Sequence, residues 1–371
     1  MSKHSRIVKQ FIDLVTIDSE SGKERDIADY LLSLFEELGI EAYEDGTAEI
    51  TGHSAGNIIA KIPGNSKGTP IFFTSHMDTV VPGNNIKPII KDGYIYSDGK
   101  TILGADDKAG IAGIIETIHQ LKEDAIDHDD IYIVLTSGEE TGLVGSGAFQ
   151  EDLPVQYGYA LDSNGEIGKI ISAAPSQARM SFVIKGKSSH AGVSPEKGIS
   201  AITMAAKAIS KMPLGRIDAE TTANIGSFEG KGPTNIVCDQ VSIIAEARSL
   251  NQDKLEKQIQ AMEEAIMEVT EKMGGAAEID KKQMYYAYSY TESDAVVKTA
   301  MQAVTNLGRK AEVQPSGGGS DANHFNRKGL PTINLGVGYE FIHTKQERIA
   351  LSELELIPSL IKEIIKLANS K

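Results

Sequence analysis

The sequence predicts an α/β protein: a mixed, mostly parallel sheet with flanking helices, interrupted by a smaller α+β insert. Three observations predict it. Apolar strand-like runs alternate with helical patterns in the first half of the chain, the β-α-β rhythm of a parallel sheet. Near residue 176 this gives way to segments in which apolar and polar residues alternate, the pattern of a sheet with one solvated face. The length of 371 residues also exceeds the ~250 to 300 at which single cores usually split.

In chain order, a helix is expected near 24 to 38, strands near 57 to 62 and 70 to 75, a helix near 107 to 122 and a strand near 131 to 136. Runs such as IFF and IYIVL are apolar without alternation, as expected of strands covered on both faces. In the insert, ARMSFVIKG (178 to 186) and VSIIAEARS (241 to 249) alternate, with helical patterns at 198 to 211 and 252 to 273. After about residue 290 the first rhythm returns, with a helix at 293 to 307, a strand at 332 to 336 and an amphipathic helix at 352 to 368. The expected layout is a discontinuous domain, 1–175 and 290–371, around a second domain, 176–289, of roughly 110 residues.

Net charge is −15, from 37 basic and 52 acidic side chains, and no polybasic stripe is present, which argues against nucleic acid as a partner. The single cysteine, Cys238, suits a reducing compartment and reads as a small buried apolar residue. The N-terminal MSKHSRIVKQFIDL breaks its apolar positions with charges, and no stretch approaches ~18 apolar residues. A cytoplasmic protein that does not engage a membrane is expected.

Acid and imidazole groups cluster just after the strands. His76 and Asp78 stand two apart where IFFTSH ends, so that one carboxylate could grip one ring. GADDKAG (104 to 110), SGEETG (137 to 142) and YALDSNG (159 to 165) follow, and FIHTKQE (341 to 347) comes last. In open α/β sheets, the C-terminal edge of the strands is where ligands bind. Histidines and carboxylates without thiolates suit Zn²⁺, or Co²⁺ or Mn²⁺ as substitutes. Asp106, at the mouth of a helix, is placed to bridge two ions ~3.5 to 4 Å apart. Asp106, Glu140 and Asp162 would set three negative charges against the four positive ones of two divalent ions. Glu139 and Glu140 would repel each other unless metal compensates them, so one can ligate while the other accepts a proton.

With SHMDTV, GADDKAG, GEETG, LDSNG, SSHAG, TNIVCD, GGGSDAN and HTKQE in this order, the chain resembles the zinc exopeptidase family of peptidase T, aminoacylase and the glutamate carboxypeptidases. It is most similar to the peptidase T-like branch, over essentially its full length. The resemblance implies a zinc exopeptidase-like fold with two Zn²⁺ per subunit. It places His76 and Asp162 on one ion and Glu140 and His343 on the other, with Asp106 bridging. It makes Glu139 the general base, has Asp78 orient His76, and implies a cis peptide bond after Asp106.

The insert reads as a lid and dimerisation domain. His190 of SSHAG and Asn235 of TNIVCD correspond to lid residues that in relatives reach the scissile carbonyl and hold its oxyanion. Arg248, on an alternating strand, could clamp a substrate carboxylate or form a surface ion pair; the family's carboxylate-x-Arg pattern stands here as Glu246 and Arg248. PSGGGSDANHF lacks the GK[ST] ending of a phosphate loop; its glycines, Gly318 among them, suit backbone close to a substrate, or a turn. The expected activity is hydrolysis of an amide bond in short peptides, foremost as a tripeptide aminopeptidase. A carboxypeptidase, a dipeptidase, an N-acyl amino acid deacylase and, more distantly, a non-catalytic binding protein are the alternatives. A bare sheet edge in the insert, together with the resemblance, predicts a homodimer built through it.

Overall fold

Strands Ile71–His76, Ile131–Thr136, Tyr157–Ser163 and Thr332–Gly336 form the parallel centre of the main sheet in the computed structural model of the chain, which describes residues 4–370. Ile71–His76 and Thr332–Gly336 are buried along their whole length, which accounts for apolar runs without alternation. Antiparallel strands flank this centre: Ile58–Ile62 beside Ile131–Thr136, Glu41–Glu44 beyond it, and Lys169–Ala174 beside Thr332–Gly336. Glu312–Pro315 pairs in parallel with Lys169–Ala174.

Helices Arg6–Thr16, Ala105–Glu123 and Leu351–Asn369 pack on one another. Leu354, Ile357, Ile361, Ile364 and Ile365 recur at helical spacing and are all buried. Truncating one of them, as in Ile361→Ala, is expected to cost about 2–5 kcal/mol. Helix Ala105–Glu123 also lies close against the sheet, and Gly110 makes the approach possible. A Cβ there would stand 2.7 Å from Ser75 Oγ and 2.8 Å from the Leu161 carbonyl oxygen, so only glycine fits between these two strands.

The chain divides into two compact units. The first runs to Ala173 and resumes over Tyr290–Ser316 and from Ser320 on; the second is Ala174–Ser289 with Gly317–Gly319. In the second, Gly215–Arg216, Thr221–Glu229, Gln240–Ser249, Ser176–Lys185 and Ala276–Tyr285 form an antiparallel sheet in that order. Alternate residues Met180, Phe182, Ile184, Val241, Ile243 and Ala245 join Met204, Leu255 and Met262 of helices Ala201–Ile209 and Gln252–Met273 in one core. The apolar-polar alternation thus marks the face that the helices cover.

A further sheet of the first unit has no counterpart in the sequence reading. It joins Ile89–Lys91, Tyr94–Tyr96, Arg348–Ala350 and Tyr339–Glu340. Cys238 is not a core residue; it is half-buried, with its thiol 3.2 Å from the Gln240 carbonyl oxygen. No helix among the described residues is long and apolar enough to cross a membrane.

Candidate metal centre

The parallel strands deliver their functional groups at one end. His76 closes Ile71–His76, Glu139 and Glu140 follow Ile131–Thr136, and Asp162 stands next to last in Tyr157–Ser163. Asp106 opens helix Ala105–Glu123, and His343 lies on the turn between Tyr339–Glu340 and Arg348–Ala350. The Asp106–Asp107 peptide bond is cis, and both residues have non-helical backbone.

These side chains meet. His76 Nε2 lies 3.0 Å from Asp106 Oδ1 and 3.7 Å from Asp162 Oδ1. His343 Nε2 lies 2.9 Å from Glu140 Oε1 and 3.4 Å from Asp106 Oδ2. Asp106 therefore turns one carboxylate oxygen toward each histidine. The ligand-capable atoms of His76, Asp106 and Asp162 lie within 4.8 Å of one another, as do those of Asp106, Glu140 and His343 and those of His76, Glu139 and Glu140.

So many carboxylates in a buried space cannot all stay charged unaided. Burial pushes Asp162 up to about 7, and burial together with Asp162 raises Glu139 well above the usual carboxylate range. Burial raises Glu140 as well. Burial opposes the charged forms of His76 and Asp106, yet their neighbours prevail: Asp106, Asp162 and Asp78 hold His76 up, while His343 and His76 hold Asp106 down. Asp106 and Glu140 raise His343 to about 10. Protons on imidazole and carboxylate balance the cluster, and divalent cations would supply the same balance through the same atoms. Two imidazoles and several carboxylates, one of them shared, fit such ions in composition.

Asp78 holds His76 through its backbone as well as its carboxylate. Nδ1 of His76 donates to the backbone carbonyl oxygen of Asp78 at 3.0 Å, while the Asp78 carboxylate stands 3.4 Å away. That carboxylate also accepts the backbone N–H groups of Glu139 and Glu140, at 2.9 and 3.2 Å, and the Ser21 hydroxyl at 2.5 Å. Asp78 lies beyond the end of the strand, where strict two-residue alternation no longer applies, and its carbonyl oxygen is the nearer partner of the ring. The tautomer outcome is the same: Nδ1 carries the proton and Nε2 faces the carboxylates.

Other supporting groups escaped the sequence reading. Tyr339 Oη donates to Asp162 Oδ1 at 3.0 Å, and the Asn334 side chain brackets the Asp162 backbone, accepting its N–H at 2.9 Å and donating to its carbonyl oxygen at 2.7 Å. Buried Asp321 accepts the hydroxyls of Thr136 and Ser146, on either side of the Glu139–Glu140 turn. Gly138, with φ +62°, makes that turn, and its bare Cα abuts the His53 ring. Tyr339 and Asn334 carry no local signal in sequence. Asp321 does, standing in the motif GGGSDAN.

In the second unit, His190 and Asn235 are exposed on neighbouring segments, joined by Ala191 N–H donating to the Asn235 carbonyl oxygen at 2.8 Å. Gly192 and Val193 N–H donate to His190 Nδ1 at 3.2 Å each, so the ring proton sits on Nε2 and remains available as a donor. Arg248 is engaged by Glu246, through Nε at 2.9 Å and Nη2 at 3.1 Å. Gly318 lies in the segment Gly317–Gly319, next to Gly319, whose N–H donates to Tyr285 Oη at 3.2 Å.

A model of peptidase family M20/M25/M40 matches residues 72–367. The chain belongs to this family. It is a peptidase, and the likeness to the peptidase T branch read from its motifs holds in whole-chain comparison. The crystal structure of aminopeptidase PepT from Bacillus cereus shares 53% identity over 98% of each chain, with a TM-score of 0.92. A tripeptidase structure from Staphylococcus aureus shares 43% over 99% of this chain and 98% of that one, with a TM-score of 0.96. The uncharacterized protein YqjE of Bacillus subtilis is 52% identical over 371 residues, 99% of this chain and 100% of its own length.

Proposed function

We propose that this M20 peptidase is a di-zinc aminopeptidase acting on short peptides, tripeptides foremost, in the cytoplasm. The observation that carries the two-ion reading is Asp106, with Oδ1 toward His76 and Oδ2 toward His343. The aminopeptidase and tripeptidase named among the relatives support the substrate class. His76 and Asp162 would hold one ion, Glu140 and His343 the other, and Asp106 would serve both. When bound, zinc supplies Lewis acidity toward the scissile carbonyl and the attacking water, a role Co²⁺ or Mn²⁺ can fill.

The chain's own residues do the rest. Glu139 takes a proton from the attacking water on a carboxylate oxygen and returns it to the leaving amine; its raised proton affinity suits both halves of that task. Asp78 fixes the Glu139 backbone while its carbonyl oxygen orients His76. The free Nε2–H of His190, aided by Asn235, donates to the developing oxyanion. Arg248 receives the substrate's terminal carboxylate, sharing its guanidinium with Glu246, and Gly318 lets backbone approach the peptide.

The second unit then acts as lid and dimerisation domain. Gly215–Arg216 pairs with residues 222 and 223 of Thr221–Glu229 and Ile217 N–H donates to the Thr221 carbonyl oxygen, leaving residues 224–229 an open edge among the described residues, with Phe228 exposed. A symmetric pairing satisfies such an edge in both subunits, and His190 would complete the partner's site. Release of N-terminal residues from a panel of di- and tripeptides, against acetate from N-acetyl amino acids, tests the activity. Preferred release of C-terminal residues or of acetate would replace this reading with a carboxypeptidase or a deacylase. Mixing His190→Ala with Glu139→Gln chains tests the shared site: recovered activity supports it, and no recovery despite subunit exchange means that His190 does not act across the interface.

A further inference from the structure

Glu347, four residues beyond His343, has no role in the chemistry above, yet it is 2% exposed and its carboxylate is fully occupied. Oε2 accepts the N–H groups of Leu103 and Gly104 at 2.7 and 2.9 Å, and Oε1 accepts the N–H of Asp106 at 3.0 Å. Three backbone donors on one buried carboxyl group make a rigid joint, because an unmade bond would leave a buried amide or carboxyl oxygen unsatisfied.

The joint ties together two distant loops. One end is the backbone of Asp106; the other is the His343 turn, which closes on itself through Glu347 N–H to the Thr344 carbonyl oxygen at 3.1 Å and Thr344 Oγ1 to the Phe341 carbonyl oxygen at 2.7 Å. His343 has φ +60° and Phe341 φ +58°, left-handed backbone that persists only where the surroundings hold it. His343 is also half exposed, so side-chain packing does little to fix it.

We infer that Glu347 is a positioning residue for the metal centre, locking the Asp106 loop to the His343 turn so that both face one ion in register. The inference rests on the two-ion reading above. Glu347→Gln keeps the size but sets an amide NH₂ against an N–H donor; Glu347→Asp keeps the charge but shortens the reach. Removing such supporting bonds typically costs ~10–100-fold in metal affinity.

The test is a Co²⁺ titration of metal-free, full-length protein, followed by calorimetry and visible absorption. Wild type, both Glu347 variants and Val297→Ala, a core change chosen to lower thermal stability alone, are compared. Glu347→Gln is expected to bind at least ~10-fold more weakly with an altered cobalt spectrum, Glu347→Asp to fall between, and Val297→Ala to match wild type. Wild-type affinity and spectrum in Glu347→Gln overturn the inference, as does a loss in Val297→Ala equal to that in Glu347→Gln. Should Glu347→Gln not fold, Glu347→Asp carries the comparison, joined by amide exchange in wild type. Rapid exchange at Leu103, Gly104 and Asp106 in the metal-free protein also overturns it. A wild-type protein that takes up no cobalt would instead reject the two-ion reading itself.

Discussion

The candidate residues of the two units are built on different terms. His76, Asp78 and Asp106 are buried, and each is held by neighbours that are themselves hydrogen-bonded. His190 and Asn235 are exposed on loop segments, and Arg248 is only partly covered. Under the proposed function the first set would meet an ion at a fixed distance, which requires the geometry beforehand, and the first unit supplies it by converging strand ends and loops. Under the proposed function, the second set would meet a flexible peptide, for which a donor such as His190 Nε2–H in a rough position suffices. Rigidity is thus concentrated at His76, Asp78 and Asp106, while half-exposed His343 depends on the turn that carries it.

Predictions sharpen this contrast, the largest effect first. Chelation is expected to abolish peptidase activity, with zinc, cobalt or manganese restoring it; full activity in protein verified as metal-free by elemental analysis would sink the two-ion reading. Glu139→Gln is expected to keep its metal and lose at least ~100-fold in turnover, whereas Glu140→Gln should lose metal. The opposite pattern of metal contents would reverse the two assignments. His190→Ala should also lose roughly 100-fold, with metal content unchanged, as removal of an oxyanion donor does. If metal is lost instead, the contrast between the two sets of residues is misplaced.

Arg248→Ala should cost roughly 10-fold on free peptides and much less on their C-terminal amides. Equal losses on both substrates return Arg248 to its ion pair with Glu246. The smallest effect is on pH. His343, raised to about 10, and Asp162, raised to about 7, hold protons near neutrality that must leave before either can bind an ion. Metal affinity should therefore climb with pH through the neutral range, with proton release seen by calorimetry in buffers of different ionisation heat. A flat profile contradicts it.

Much of this was legible in the sequence, for physical reasons. Long, buried or alternating strands such as Ile71–His76 and Gln240–Ser249 announce themselves, and so do acids and imidazoles placed just after them. Helix Arg6–Thr16 is not among the expected elements, because charged exposed positions interrupt its buried face of Ile7, Val8, Phe11, Leu14 and Val15. Ile89–Lys91 and Tyr94–Tyr96 are too short for any periodicity, and Ala276–Tyr285 is a charged edge strand. The carbonyl grip of Asp78 depends on backbone direction after a strand ends, which residue types do not encode. Glu347 stood inside a recognised motif, but its partners lie more than two hundred residues away.

The order in which the main sheet is threaded also matters while the chain is being made. Thr332–Gly336 pairs with Tyr157–Ser163 across the whole of the second unit. A nascent chain halted just after Ser289 would contain every strand of the insert's sheet while the first unit still lacked Glu312–Pro315 and Thr332–Gly336. The middle of the polypeptide therefore has its complete set of strands before the beginning does, an inversion of the usual N-terminal-first sequence of domain folding. His343 leaves the ribosome later still, so the candidate cluster of acids and imidazoles is complete only on an essentially finished chain.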